Sequence, residues 1–239
     1  MKNHIPASQR LNEKLSNLIA STEPGGRLPS EPYLARQLGV SRATLREAMR
    51  TFETQGLIRR RQGSGTFVLH PTNVIDTGLE ILESIETLAE RIGLKATMGE
   101  LKIAYRTGTP DELINLQLPE ESMVMHLSRV IYAEGRPVAF LIDIVPDTLL
   151  TPDDLPDDFS GSVLDLFLKQ GDPDLFSSRC EISAETANPD VARALGIQRG
   201  DAILRFEATL FTTEGRVIDY SFSYFLPGVF RFHVVRKVG

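Results

Sequence analysis

Three groups of residues in this sequence have types and spacings that suit recognition of a charged or polar partner. The first is Ser41-Arg42-Ala43-Thr44-Leu45-Arg46, with Arg50 one helical turn further on. Hydroxyls and guanidinium groups at the start of a helix can reach phosphates, and arginine can pair with both acceptors on a guanine edge. The second is Gln62-Gly63-Ser64-Gly65, whose glycines would let the backbone approach a sugar-phosphate chain closely. The third centres on Arg129. In Met123–Tyr132, strand parity places Met123, Met125, Leu127, Arg129 and Ile131 on one face, so a charge sits among apolar neighbours. A buried arginine needs a partner, either an acidic side chain such as Asp143 or Asp219 or the anion of a ligand.

Two further segments belong with Arg129. In Val217–Leu226 one face reads Val217, Asp219, Ser221, Ser223 and Phe225, which could line a polar pocket or meet solvent. Ser162 precedes a short helix, with Asp165 three residues on; it is an N-cap, an anion site, or both. No other chemistry is visible. There is one cysteine, Cys180, and the histidines at 4, 70, 126 and 233 have no metal-ligand spacing. No phosphate loop and no nucleophile-base-acid set occurs, so no catalytic residue, metal or cofactor is assigned and the chain is not read as an enzyme.

The elements that must position these residues can be read locally. Leu11, Leu15, Leu18 and Ile19 recur at helical spacing in Ala7–Ala20, and Pro24-Gly25-Gly26 ends that helix. Ser30 is an expected N-cap for a short second helix, with Glu31 and Pro32 in its first turn and Gly39 as its stop. Ser41 caps a third helix running to about Gln55, whose core stripe is Leu45, Ala48, Met49 and Phe52. Two helices joined by a tight glycine-containing turn form a helix-turn-helix, and the third helix would be the recognition helix. Leu57–Arg61 and Thr66–Val68 then make a hairpin, or wing, around Gln62–Gly65.

His70-Pro71-Thr72-Asn73 marks a linker, and Ile75–Ile92 reads as an amphipathic coupling helix with Leu79, Leu82, Ile85, Leu88 and Ala89 on one face. The rest of the chain repeats itself. Thr109-Pro110-Asp111-Glu112 and Asn188-Pro189-Asp190 both open short helices, with prolines 79 residues apart. Each helix leads into a strand, a Glu-Gly-Arg turn (134–136 and 214–216) and a second strand, with the two turns 80 residues apart. Two helix-plus-hairpin units sharing one antiparallel sheet, with Ser162–Gln170 inserted between them, predict an α+β domain. The expected division is residues 1–70 for the helix-turn-helix, 71–92 for the linker and coupling helix, and 93–239 for the second domain.

Charge follows the same division. Residues 1–70 carry a net +6 and residues 71–239 a net −12. A basic head is the electrostatic footprint of a polyanion partner. The longest apolar runs, such as Val138–Ile142, are far too short to cross a bilayer. With no apolar stretch near the N-terminus to serve as a signal peptide, the expectation is a cytoplasmic protein without a membrane partner.

Gly-Arg-Leu-Pro-Ser-Glu (26–31), Leu-Gly-Val-Ser-Arg (38–42), Thr44, Arg46-Glu47-Ala48, Gly56-Leu57-Ile58 and Gly63-Ser64-Gly65-Thr66-Phe67-Val68 resemble the winged-helix domain of the GntR family of transcription regulators. The resemblance implies DNA contacts from Ser30, Arg42, Thr44, Arg46 and Gln62 to Gly65. Family members usually carry a basic residue where this chain has Pro32, so one expected contact is missing. The second domain resembles, more loosely, the UTRA effector domain of the HutC-type branch, through Leu-Ser-Arg-Val (127–130), Gly-Arg-Pro-Val (135–138), Gly161-Ser162-Val163-Leu164 and Ile218-Asp219-Tyr220-Ser221. That resemblance implies a mixed α/β chain with a chorismate-lyase-like second domain. It further implies a homodimer on near-palindromic double-stranded operator DNA, and a small-molecule effector near Arg129, Ser162, Asp219, Ser223 and Phe225. Several members hold phosphosugars with two arginines on the first strand and a tyrosine on the last. Here Ile131 and Phe225 stand at those positions, which argues for a less charged effector. The alternatives are a second domain that only dimerises, or a lyase-like enzyme.

Overall fold

The computed structural model describes residues 7–23, 25–54, 57–61, 63–69, 75–91, 95–156, 159 and 161–235. The chain divides into two compact units, residues 1–74 with 227–229, and residues 75–226 with 230–239.

The first unit contains α1 (Ala7–Ala20), α2 (Glu31–Leu38), α3 (Arg42–Thr54), β1 (Ile58–Arg61) and β2 (Gly65–Val68). Its core joins Leu11, Leu15 and Ile19 of α1 to Leu34 and Ala35 of α2. Leu45, Met49 and Phe52 of α3, and Ile58 and Val68 of the hairpin, complete it. Helical spacing points Leu11, Leu15, Ile19, Leu34, Leu45, Met49 and Phe52 inward; Leu18, Leu38 and Ala48, expected with them, are only partly buried. Gly39 ends α2 at φ 69°, a left-handed conformation that costs glycine little. Ser41 caps α3 by accepting the Thr44 N–H at 3.0 Å. Ser30 departs from expectation: it stands at the N-cap of α2, but its side chain makes no capping hydrogen bond. A cap bonds the second or third N–H of the helix, and Pro32 removes the second.

The second unit is built on a six-stranded antiparallel sheet. Its elements are β3 (Ile75–Gly78), α4 (Ile85–Arg91), β4 (Ala96–Thr107), α5 (Pro110–Leu116), β5 (Met123–Ala133) and β6 (Arg136–Pro146). They continue with α6 (Val163–Gln170), β7 (Leu175–Thr186), α7 (Pro189–Leu195), β8 (Ala202–Thr212), β9 (Val217–Phe225) and β10 (Phe230–His233). The sheet order β4-β5-β6-β9-β8-β7 reads the same from either edge once the repeat is recognised. Each half is strand, helix, hairpin, and the halves join where β6 meets β9. The opening strands β4 and β7 belong to the repeat, although residue pattern alone picked out only the helices and hairpins. Both are edge strands and largely exposed, so apolar alternation is weak in them.

One face of the sheet is covered by α6, with Val163, Leu166 and Phe167 packed on Met125, Leu127, Val145 and Leu210. The other carries α5, with Leu113 and Leu116 on Val124, Ile144, Val217 and Tyr220.

Ile75–Ile92 is not one helix. Ile75–Gly78 is a strand paired in parallel with β10, and the helix begins only at Ile85. A β-branched residue pair and a glycine disfavour helix over 75–78, and Ser84 offers a cap for a helix that starts ten residues later than expected. The Ser84 hydroxyl accepts the Thr87 N–H at 3.0 Å. Leu79 and Leu82, at helical spacing in the sequence, are 40% and 50% exposed. Ile92 lies outside the described residues.

Candidate functional site

In the first unit, buried Leu45 and Met49 fix the roll of α3, which leaves Arg42, Thr44 and Arg46 exposed at its N-terminal end. The Thr44 hydroxyl lies 2.8 Å from that of Ser41. Arg46 donates through Nε to Glu31 at 2.6 Å, which crosses from α3 to α2. Arg50 is half-buried and pairs with Glu47 at 3.5 Å. Arg60 of the wing's first strand lies 2.9 Å from Glu53 and 3.8 Å from Glu31, so it anchors the hairpin to the helices. At the tip, Gly63 and Ser64 are exposed, and Arg61 lies over the Phe67 ring at 5.4 Å. Gln62 lies outside the described residues.

Gly65 has φ 111°, and a Cβ there would stand 2.6 Å from Nε of Arg27. Arg27 thus lies along the wing, a placement that spacing did not reveal because 38 residues separate the two positions in sequence. Ser30 is exposed, and its hydroxyl is not spent on a cap. The surface formed by the start of α3, the wing tip and Ser30 therefore presents hydroxyls, guanidinium groups and glycine backbone together.

In the second unit, the cross-strand register brings the expected residues onto one sheet face. Arg129 is opposite Leu141, which is opposite Ser223; Ile131 is opposite Ala139, which is opposite Phe225. Asp143 is opposite Leu127 and Ser221, on the same face. Arg129 donates to Asp143; Arg129 is buried and the Asp143 side chain is 13% exposed. The Asp143 alternative is therefore the ion pair formed, and Nε of Arg129 remains buried without a hydrogen-bond partner. Asp219 is also buried, with Oδ1 unpartnered. Burial and the nearby Asp143 carboxylate raise Asp219 well above the usual carboxylate range. The β9 face is thus not a solvent face: Asp219 and Phe225 are buried and the two serines half-buried.

Ser162 caps α6, accepting the Asp165 N–H at 3.0 Å. The Ser84 hydroxyl donates to Asp165 at 2.6 Å, which ties the start of α4 to the start of α6. Gly161, at φ 104°, lets this loop lie against Arg129; a Cβ there would stand 3.1 Å from Cδ of Arg129. Glu86, in the first turn of α4, has both carboxylate oxygens buried and unpartnered. Burial raises its pKa, and the Arg129 charge partly opposes that shift. Ser84 and Glu86 were not anticipated, and Asp165 was noted only for its spacing from Ser162. They lie 36 to 45 residues from Arg129, and a segment read as continuous helix gave no reason to look for a cap inside it. Phe225 differs in role from the polar residues. Its ring packs with Phe206, Phe230 and Phe232 at centroid distances of 5.1, 4.8 and 4.9 Å.

The opposite face of the sheet holds a separate charged network. Arg205 bonds Glu185 at 2.8 Å and stacks over Phe222 at 4.9 Å, while the Tyr220 hydroxyl donates to Glu207. Among the described residues no group of histidine, cysteine, aspartate and glutamate has metal-binding geometry, and no helix is long and apolar enough to cross a membrane.

The UTRA domain model matches residues 91–231, and the model of bacterial regulatory proteins of the gntR family matches residues 7–68. The chain belongs to the GntR family. It is 30% identical over 217 residues to the histidine utilization repressor of Pseudomonas aeruginosa, covering 89% of this chain and 83% of that one. It is 28% identical over 222 residues to the HTH-type transcriptional repressor NagR of Bacillus subtilis, covering 91% and 89%. Its fold matches the crystal structure of PhnF from Mycobacterium smegmatis with a TM-score of 0.66 at 20% identity, over 96% of this chain and 100% of that one. As a GntR protein with a UTRA effector-binding domain, it is a DNA-binding transcriptional regulator of the HutC type, and its relatives are regulators rather than enzymes.

Proposed function

We propose that this regulator is a cytoplasmic homodimeric repressor of a near-palindromic operator, and that a small metabolite bound beside Arg129 controls its grip on DNA. Arg42, Thr44 and Arg46 enter the major groove from the start of α3, Ser30 and Ser41 reach phosphates, and Gly63 to Gly65 bring the wing backbone to the sugar-phosphate chain. Arg50, one helical turn further along α3, adds a further contact to the DNA. The long edge strands β4 and β7, with Ile103, Tyr105, Phe176 and Ile182 exposed, favour pairing between copies. The repressor direction agrees with the relatives' names.

The observation that carries the effector reading is the set of buried, unpartnered polar atoms on Arg129, Asp219 and Glu86. Buried polar groups are otherwise almost always satisfied, so a ligand that completes them is favoured. Signal leaves the pocket through Phe225, whose ring touches Phe230 and Phe232 of β10. β10 pairs with β3, the first described element after residue 69. A ligand that shifts Phe225 therefore pulls on the segment leading from the DNA-binding unit.

The test uses an operator enriched from a random duplex pool with the full-length protein. Fluorescence anisotropy should give a steeply salt-dependent affinity that Arg46→Ala weakens by about 1–3 kcal/mol. A metabolite panel should include a compound that weakens this binding. Ligand-insensitive DNA binding across the panel would instead favour a second unit that only dimerises.

A further inference from the structure

The wing of the first unit is wider than its two strands. Residues 25–28 run antiparallel beside β2. The Gly25 N–H donates to the Val68 carbonyl, the Val68 N–H to that of Gly26 and the Leu28 N–H to that of Thr66, each at 2.8 Å. Arg27 is thereby opposite Phe67, and Phe67 is opposite Arg59 of β1. In the next row Gly65 is opposite Arg61. Side chains alternate along a strand, so Arg27, Arg59 and Arg61 share one face of this small sheet. The other face is the core face, with Leu28, Ile58, Thr66 and Val68 buried.

Three guanidinium groups thus project from a patch two strand spacings wide, about 10 Å. All three residues are exposed. Among the described residues no carboxylate pairs with any of them, whereas Arg46, Arg50 and Arg60 are each held by a glutamate. The Arg27 guanidinium is seated on the wing tip: a Cβ at Gly65 would stand 2.6 Å from its Nε and 3.1 Å from its Cζ. Arg61 lies over the Phe67 ring at 5.4 Å. Neither contact takes up the N–H donors of these groups. Like charges gathered in this way repel one another, so a covering polyanion is favoured.

We propose that this outer face of the wing is a phosphate clamp of its own, in which Arg27, Arg59 and Arg61 neutralise the DNA backbone whatever its base sequence, beside the contacts made by α3. The donors are spread over three neighbouring segments, which suits a row of phosphates better than one small anion. The clamp rests on DNA binding by the first unit and on no reading of the effector unit.

Anisotropy titrations of the full-length protein over a salt series, on the enriched operator and on a scrambled duplex, test it. Arg27→Gln, Arg59→Gln and Arg61→Gln keep the stem and remove the charge. Each should reduce the slope of log affinity against log salt by about 1 for every wing on the DNA, and weaken both duplexes by the same factor. Arg27→Lys, Arg59→Lys and Arg61→Lys should keep the slope. Melting temperatures should match the parent, because the three side chains are exposed and unpaired with any acid. Arg46→Ala should instead cut the preference for operator over scrambled duplex, so a failure of the α3 reading shows separately. Unchanged slopes in all three glutamine variants overturn the clamp, whether or not affinity falls. A loss confined to the operator also overturns it, since the arginines would then read bases. Tighter binding overturns it as well, since the face would then be covered by the acidic part of this chain.

Discussion

Arg46 in the DNA-binding unit and Arg129 in the effector unit make the same kind of bond in opposite surroundings. Each guanidinium is held by one carboxylate from a neighbouring element, Glu31 for Arg46 and Asp143 for Arg129. The Arg46 side chain is 57% exposed and the Arg129 side chain 5%. An exposed ion pair is screened by water and worth little, so Arg46 can exchange Glu31 for a phosphate or a base edge at small cost. A buried pair is different: its desolvation has already been met in folding, and removing either member strands a charge. The same residue type is thus an exposed group that exchanges partners easily in one unit and a fixed member of a buried ion pair in the other.

The largest effect should come from breaking the buried pair. Arg129→Ala is expected to lower the unfolding free energy by about 3–5 kcal/mol, because Asp143 is left uncompensated. Replacing both residues together by apolar ones of similar volume should restore most of that loss in a urea titration. If Arg129→Ala unfolds like the parent chain, the contrast between the two arginines is wrong.

Breaking the exposed pair should do the reverse. Arg46→Ala is expected to change stability by about 1 kcal/mol or less, yet weaken specific operator binding by about 1–3 kcal/mol. Anisotropy titrations beside thermal melts separate the two readouts.

The two serines sharpen the comparison within the DNA-binding unit. Ser41→Ala removes a formed cap and should cost about 1 kcal/mol of stability. Ser30→Ala removes no capping bond, so its melt should match the parent. If Ser30 contacts a phosphate, the Ser30→Ala variant should bind the operator more weakly with an unchanged slope of log affinity against log salt, since a neutral hydroxyl displaces no counterion.

The smallest expected effect concerns pH. Asp219 has its pKa raised by burial and by Asp143, with its bond to Ser221 and the Arg129 charge partly offsetting this. A raised folded pKa contributes stability that is present in acid and lost as pH rises through the folded value. Asp219→Asn should therefore melt above the parent at neutral pH and lose that advantage as pH falls toward the ordinary carboxylate range. An advantage that grows on acidification would reverse the assigned sign.

The DNA-binding unit was legible almost residue by residue. Its information is local: Ser41 caps the helix it precedes, Gly39 ends the helix it follows, and Leu45 and Met49 repeat within a single turn. Even so, Ser30 stands at its N-cap position without the expected capping bond. The effector unit was legible in its repeat and in the parity that singled out Arg129. Its first strand and the start of α4 were not, because Leu79, Leu82 and Ile85 mimic a helical face while the backbone of 75–78 pairs with β10 across 155 residues of sequence.

By itself, then, the sequence determined the helix-turn-helix, the wing, the two-fold repeat and the presence of an arginine on an apolar strand face. Each of these depends on spacings of two to four residues or on a repeat visible in the chain. Tertiary structure alone decided that Asp143 is the partner of Arg129, that Arg27 lies along the wing, and that Ser84 ties the start of α4 to Asp165 at the start of α6. Those outcomes depend on which strands pair and which helix covers which face. The charged groups around Arg129 are brought together by no local pattern.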